Sequence, residues 1–201
     1  MIALIDYGAG NLTSVKKALG AINADVFVPA SPQDMAHATG VIVPGVGHFG
    51  ATRAIDARWT AAILGLLGEG RPLLGICLGM QWLFEGSEEA PDAPGLGVLS
   101  GRCYRLRGDA ASAIKIPHVG WNSLAMTRDD SIVDGVPAAA QVYFTHSYVA
   151  PVTGDTVAQT EHGEAFASIV QRGQVAGVQF HPEKSGDVGL QVLRNFVQIA
   201  G

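Results

Sequence analysis

Charge is scarce in this chain of 201 residues: 15 % are Asp, Glu, Lys or Arg, against about 25 % in average globular usage. The balance is acidic, with 18 Asp and Glu against 13 Lys and Arg, and no four basic residues run together. A nucleic-acid surface neutralises phosphates with clustered cations, so that class of partner is not expected. Cysteine is scarcer still. Cys77 and Cys103 are the only two, too few for a disulfide framework. The longest uncharged stretch, 135–154, contains Pro137, Gln141, His146, Ser147 and Pro151, which a lipid-exposed helix tolerates poorly. The first residues lack a basic lead and Asp6 interrupts their apolar run, so they do not read as a signal peptide. The expectation is a protein of the cell interior with no membrane partner. Disorder is excluded by the 48 % hydrophobic content. Glycine is what the chain has in excess: 26 residues, close to twice the usual share of about 7 %.

Short apolar runs alternate with helical patterns in the first half. Ile2–Ile5, Val26–Val28, Gly40–Val43 and Pro72–Ile76 read as buried strands. Between them, Asn11 is placed to cap a helix that shows Leu12, Val15 and Leu19 on one face and closes at Gly20. Ala51–Leu67 reads as one helix and Leu78–Phe84 as another. Such alternation implies a parallel sheet covered on both faces. The second half gives strand-like runs at Cys103–Leu106, Ser112–Ile116, Gln141–Tyr148, Thr156–Thr160, Ala165–Gln171 and Val175–Phe180. A last helix, Asp187–Ile199, lines up Val188, Val192, Leu193, Phe196 and Val197. The expectation is one α/β domain over 1–201, with a central, mostly parallel sheet and an antiparallel appendage.

The densest chemical signal is Leu73-Leu74-Gly75-Ile76-Cys77-Leu78-Gly79-Met80-Gln81. A buried strand, a cysteine between small residues and a helix start together make the strand–nucleophile–helix elbow of hydrolases, with Cys in the central position. The glycines are needed because the turn is tight, and a helix N-terminus favours a thiolate. The plain reading is a small hydrophobe ending a core strand; on this segment alone the two stand about level. Far downstream, His181-Pro182-Glu183 follows an apolar strand. Residues two apart in extended chain point to one side, so Glu183 can hold the His181 ring while its other nitrogen takes a proton from a thiol. A surface His with a solvated Glu is the bland alternative. Metal binding would need more ligands, and His118, His146 and His162 lack ligand spacing, so neither a metal nor another cofactor is expected. The turn Pro44-Gly45-Val46-Gly47-His48 can aim N–H groups at an oxyanion, although alone it reads as an ordinary loop. A dinucleotide site after the first strand fails because Thr13 stands where a glycine is required and Val28-Pro29 replaces the acidic strand end.

Together these segments, in this order over nearly the whole chain, resemble the class I (triad) glutamine amidotransferases. The flanking segments Ile5-Asp6-Tyr7-Gly8-Ala9-Gly10-Asn11-Leu12, Lys115-Ile116-Pro117-His118-Val119-Gly120-Trp121-Asn122, Tyr143-Phe144-Thr145-His146-Ser147-Tyr148 and His181–Gly186 are similar to the branch whose glutaminases serve imidazole glycerol phosphate synthase. Thr145 departs from the hydrophobic residue usual there. The resemblance implies a flavodoxin-like fold and catalysis by Cys77, His181 and Glu183. It also implies an oxyanion hole from Val46, Gly47 and Leu78, and glutamine held by Gln81, Ser147 and Tyr148. It further implies that ammonia passes to a separate (β/α)8-barrel cyclase subunit, with Asn11, Trp121 and Lys184 at the interface. Read without the resemblance, those three are a helix cap, a core aromatic and a solvated charge. A triad glutaminase serving another acceptor synthase, and a catalytically silent binding subunit that keeps the fold, remain as alternatives.

Overall fold

The computed structural model describes residues 1–107 and 114–201. In chain order the first half contains β1 (Ile2–Leu4), α1 (Leu12–Ala21), β2 (Val26–Phe27), β3 (Gly40–Gly45), α2 (Ala57–Gly68), β4 (Leu73–Cys77), α3 (Leu78–Trp82) and β5 (Gly86–Ser87). The second half contains β6 (Arg102–Arg105), β7 (His118–Ser123), β8 (Ala125–Met126), β9 (Gln141–His146), β10 (Tyr148–Val149), β11 (Thr156–Glu161), β12 (Ala165–Arg172), β13 (Val175–Val178) and α4 (Gly186–Ile199).

Eight strands form one sheet in the order β2-β1-β3-β4-β13-β12-β11-β8. The first five run parallel and the last three antiparallel. The sequence reading expected an antiparallel appendage; most of it is continuous with the central sheet. Alternation along the strands sends successive side chains to opposite layers. Ile2, Leu4, Ile42, Leu74 and Ile76 join α1 and α4 residues such as Val15, Leu19, Val192 and Phe196 on one face. Ala3, Ile5, Val41, Val43 and Leu73 pack with Ile63, Leu66, Met80 and Trp82 on the other. A three-stranded sheet (β10-β6-β5) and a hairpin of β7 with β9 lie outside the main sheet.

Four local expectations need correction. The helix expected over Ala51–Leu67 is broken: a 3-10 segment, Phe49–Ala54, precedes α2. Asp56 makes the break, because its carboxylate accepts from the N–H groups of Arg58 (2.8 Å) and Trp59 (3.1 Å) and caps a fresh helix. Gly20 lies inside α1 rather than closing it, and Asn23 takes the left-handed turn at φ 56°. Of the strand expected at Ser112–Ile116, Ser112 and Ala113 fall outside the described residues, and 114–116 carry no strand. Finally, β7 occupies a segment where no strand was expected, since its alternate apolar residues Val119 and Trp121 face outward. No helix among the described residues is long and apolar enough to cross a membrane.

Candidate active site

The carboxyl ends of β3, β4 and β13 lie side by side: Gly45 is registered with Cys77, and Val178 with Ile76. Open α/β sheets place ligand sites at such strand ends. Here β3 leads into the glycine turn, β4 ends on Cys77, and β13 leads into His181. Three segments distant in sequence converge because three adjacent parallel strands deliver them.

Cys77 sits at φ 54°, ψ −107°, a conformation side chains avoid. The helix α3 folds back tightly on the sheet after it. A Cβ on Gly75 would stand 2.6 Å from the Gly79 carbonyl oxygen, and one on Gly79 would overlap the Val43 carbonyl. Glycine at 75 and 79 is therefore a steric requirement of the elbow. Leu78 opens α3, where N–H groups have no intrahelical acceptor.

His181 and Glu183 are buried behind Cys77, their side chains 2 % and 1 % exposed. The His181 Nδ1–H donates to Glu183 Oε1 at 2.8 Å, and among the described residues Nε2 has no hydrogen-bond partner. Burial opposes charge on this ring, but the neighbouring Cys77 sulfur and the Glu183 carboxylate outweigh it and push His181 up to about 10. An imidazolium beside the Cys77 sulfur is thus favoured in the interior. Such a ring can give a proton to a leaving group and recover it from water.

Cys77 opens onto a cavity of about 290 Å³ lined by Gly47, Leu78, Gln81, Glu89, Pro117, Thr145, His146, Ser147 and Tyr148. Gly47, Leu78, Gln81, Ser147 and Tyr148 were expected at a glutamine site; Glu89 was not. It is the one charged residue among the described lining residues, and its Oε2 accepts from the Phe49 N–H at 2.6 Å. Its only sequence signal is an acid pair after Gly86-Ser87, indistinguishable from solvated charge. Gln81 donates from Nε2 to the Tyr148 carbonyl (2.8 Å) and to Gln179 Oε1 (3.2 Å). Only its amide oxygen is left to offer a ligand. Val46 does not line the cavity: its N–H donates to the Ala9 carbonyl at 2.6 Å, so in this arrangement it is not available to an oxyanion. Gly47 next to it adopts φ 92°.

His118, His146 and His162, the histidines considered as metal ligands, do come together, but His118 and His146 bond each other. Tyr148 O can only accept, so His146 Nδ1 carries a hydrogen (3.2 Å) and its Nε2 accepts from His118 Nδ1 at 3.1 Å. Asn122 Nδ2 then donates to His118 Nε2 at 3.3 Å, and His162 stacks on His118. Burial lowers His118 to about 4 and His146 to about 3. Among the described residues no group of three or more His, Cys, Asp or Glu is arranged to hold a metal ion. Of the expected interface residues, Asn11 is exposed and caps α1 by accepting from Ser14 N (3.3 Å). Trp121 is 57 % exposed rather than core. It meets Tyr143 edge-on, and Lys184 Nζ lies 5.6 Å over the same Tyr143 ring.

Residues 3–200 match the family described as glutamine amidotransferase class-I. The chain belongs to the class-I glutamine amidotransferases. Within the family it is 46 % identical to imidazole glycerol phosphate synthase subunit HisH of Halobacterium salinarum, over 98 % of this chain and 92 % of that one. It is 42 % identical to the HisH subunit of Methanothermobacter thermautotrophicus, over 99 % and 98 %. A solved glutamine amidotransferase superposes over the whole of both chains with a TM-score of 0.78 at 20 % identity. That likeness concerns the fold: a mostly parallel central sheet with helices on both faces, as an amidotransferase of this class has.

Proposed function

We propose that this amidotransferase is the glutaminase subunit of an imidazole glycerol phosphate synthase. It hydrolyses glutamine to glutamate and ammonia, and the ammonia is used by a cyclase subunit. The observation that carries the reading is the convergence of Cys77, His181 and Glu183 at one end of the sheet, in a chain 46 % identical to a HisH subunit.

Each residue then has a role set by its chemistry. Cys77 Sγ attacks the side-chain amide carbon of glutamine, and the carbonyl oxygen takes the negative charge. The Leu78 N–H and, once the Val46 N–H leaves the Ala9 carbonyl, the 46–47 turn stabilise that oxyanion. His181 gives its Nε2 proton to the departing nitrogen, which leaves as ammonia, and a thioester remains on Cys77. His181 next takes a proton from water, the resulting hydroxide displaces the sulfur, and glutamate is released. Glu183 keeps the ring oriented and offsets its charge. At the amino-acid end, Glu89 is the counter-charge for the α-ammonium group, and Gln81, Ser147 and Tyr148 fix the rest of the substrate.

The partner is a (β/α)8-barrel cyclase that converts PRFAR to imidazole glycerol phosphate and AICAR in histidine biosynthesis. Asn11, Trp121 and Lys184 contact it. Supporting this, Val119 and Trp121 are each 57 % exposed on β7, an apolar pair left in the open next to Lys184. The test is glutamate release from glutamine with and without the ligand-loaded cyclase. Stimulation by that partner, abolished in Cys77→Ala while the complex still forms, supports the proposal. Activity indifferent to the cyclase indicates a different acceptor synthase, and full turnover by Cys77→Ala refutes the mechanism.

A further inference from the structure

Gln179 lies just past β13, two residues before His181, and is fully buried. Its backbone N–H donates to the Ser168 carbonyl at 2.9 Å, so the segment is fixed to the sheet. Its side-chain amide has two neighbours: Gln81 Nε2 at 3.2 Å and Cys77 Sγ at 3.7 Å. Which end of the amide faces which neighbour follows from the donor inventory. The Tyr148 carbonyl can only accept, so the Gln81 atom facing it is nitrogen. That same nitrogen is also directed at Gln179, so the Gln179 atom meeting it is oxygen. The Gln179 NH2 group is therefore turned to the sulfur.

We infer that Gln179 is a positioning residue for the nucleophile, its side-chain N–H holding Cys77 Sγ in line for attack and its orientation enforced through Gln81 by the Tyr148 carbonyl. The inference rests on reading Cys77 as the nucleophile and adds the group that places it. A neutral thiol is a weak acceptor, whereas a thiolate receives a charge-assisted hydrogen bond about twice as strong as a neutral one. The geometry is economical: one short segment just past β13 brings both the donor Gln179 and the base His181 to Cys77. Gln81 lines the cavity, so an occupant that takes up its amide oxygen bears on the chain that holds the sulfur.

The test compares the full chain with Gln179→Met, which keeps the length of the side chain but has no donor, on a Cys103→Ala background so that Cys77 is the sole thiol. Alkylation of Cys77 by iodoacetamide is followed by mass spectrometry from pH 6 to 10, and glutamine turnover is measured with the cyclase partner. Loss of a hydrogen bond to a charged atom predicts about tenfold slower alkylation at pH 7, a rate profile moved about one unit to higher pH, and kcat lower by a similar factor with KM within about twofold. Gln81→Met leaves Gln179 in place but removes the group that orients it, and the same displacement of the alkylation profile is expected. If Gln179→Met is too unstable to assay, that second profile decides. An unmoved profile in a folded variant overturns the proposal, as does a rise in KM with kcat intact. Failure of the parent Cys77 to react at all instead overturns the reading of Cys77 as nucleophile.

Discussion

Cys77 is held at φ 54°, ψ −107°, and a non-glycine residue in so sparsely populated a region costs about 1–3 kcal/mol. That cost is measurable apart from catalysis by comparing Cys77→Gly with Cys77→Ala, since neither has a sulfur. Replacing Ala by Gly in regular structure is unfavourable for two reasons. The unfolded chain gains freedom worth about 0.5–1 kcal/mol, and a buried carbon is lost, worth about 0.8 kcal/mol. Ala176, in regular strand β13 beside β4 and 3 % exposed, provides the reference for that penalty. Ala176→Gly is therefore expected to destabilise by about 1.5 kcal/mol. At position 77 the same step also releases the strain, so the Ala-to-Gly difference there should be more favourable than at 176 by about 1–3 kcal/mol and close to zero overall. In a chain of this size, each kcal/mol moves the melting temperature by roughly 2–4 °C. Urea and thermal unfolding of the parent, Ala176→Gly, Cys77→Ala and Cys77→Gly supply every quantity needed. If glycine at 77 costs as much relative to alanine as it does at 176, the elbow stores no strain and the argument fails.

The close approach of α3 to β3 predicts that Gly79→Ala, whose Cβ would overlap the Val43 carbonyl, loses about 3 kcal/mol or more. It should also reduce kcat/KM at least about 100-fold by displacing the nucleophile; near-normal unfolding and turnover would show that the helix can lift without cost. Cys103 is fully buried, its Sγ lies 3.7 Å from the Gln81 carbonyl, and burial pushes its thiol far up. Cys103→Ala should keep glutaminase activity within about twofold and lose about 1 kcal/mol of stability, and the native thiol should resist iodoacetamide; a large drop in kcat would assign it a part in the site. His118 and His146 are lowered to about 4 and about 3 by burial, so below pH 6.5 the unfolded chain binds protons that the folded chain does not. Folding stability should therefore fall with acidification from about pH 6.5 to about pH 3, by up to about 1.4 kcal/mol per pH unit for each histidine. Replacing His146 with Gln should flatten that dependence, and an unchanged slope would contradict the burial argument.

Much of this site is legible in sequence because it depends on local rules. The elbow is read from Gly75, Cys77 and Gly79, since the turn has no room for other side chains. His181 and Glu183 do pair as their spacing suggests, but through a 3-10 turn over Pro182–Lys184 and not, as expected, along extended chain. The parallel strands are read from apolar runs too short for helices. What stays hidden depends on partners distant in sequence. Gln179 is one residue of an apolar run until Gln81 is placed against it, and Glu89 is an acid in a loop until it meets the Phe49 N–H. β7 is obscured because its apolar Val119 and Trp121 point outward, against the usual apolar-inward alternation. The break at Asp56 is hidden by the helix-favouring alanines around it, which hold no sign that the carboxylate turns back to cap.

In the proposed mechanism, the turn between β3 and the 3-10 segment limits what the triad can do alone. Cys77, His181 and Glu183 are already assembled, but the Val46 N–H is bonded to Ala9. An absent oxyanion donor lowers kcat by about 10²–10³-fold. A single hydrogen bond contributes only about 1 kcal/mol net, which biases the turn toward the held state by less than about tenfold. Breaking the Ala9 bond therefore cannot by itself account for activation beyond that factor. Stimulation of glutamine hydrolysis by more than about tenfold on adding a partner requires that the backbone from Gly45 to Gly47 be reorganised as well. The Ala9 carbonyl belongs to the same turn as Asn11, an exposed residue of the proposed interface. A partner bearing on Asn11 would thus act on the peptide that holds the missing donor, without touching any group of the triad.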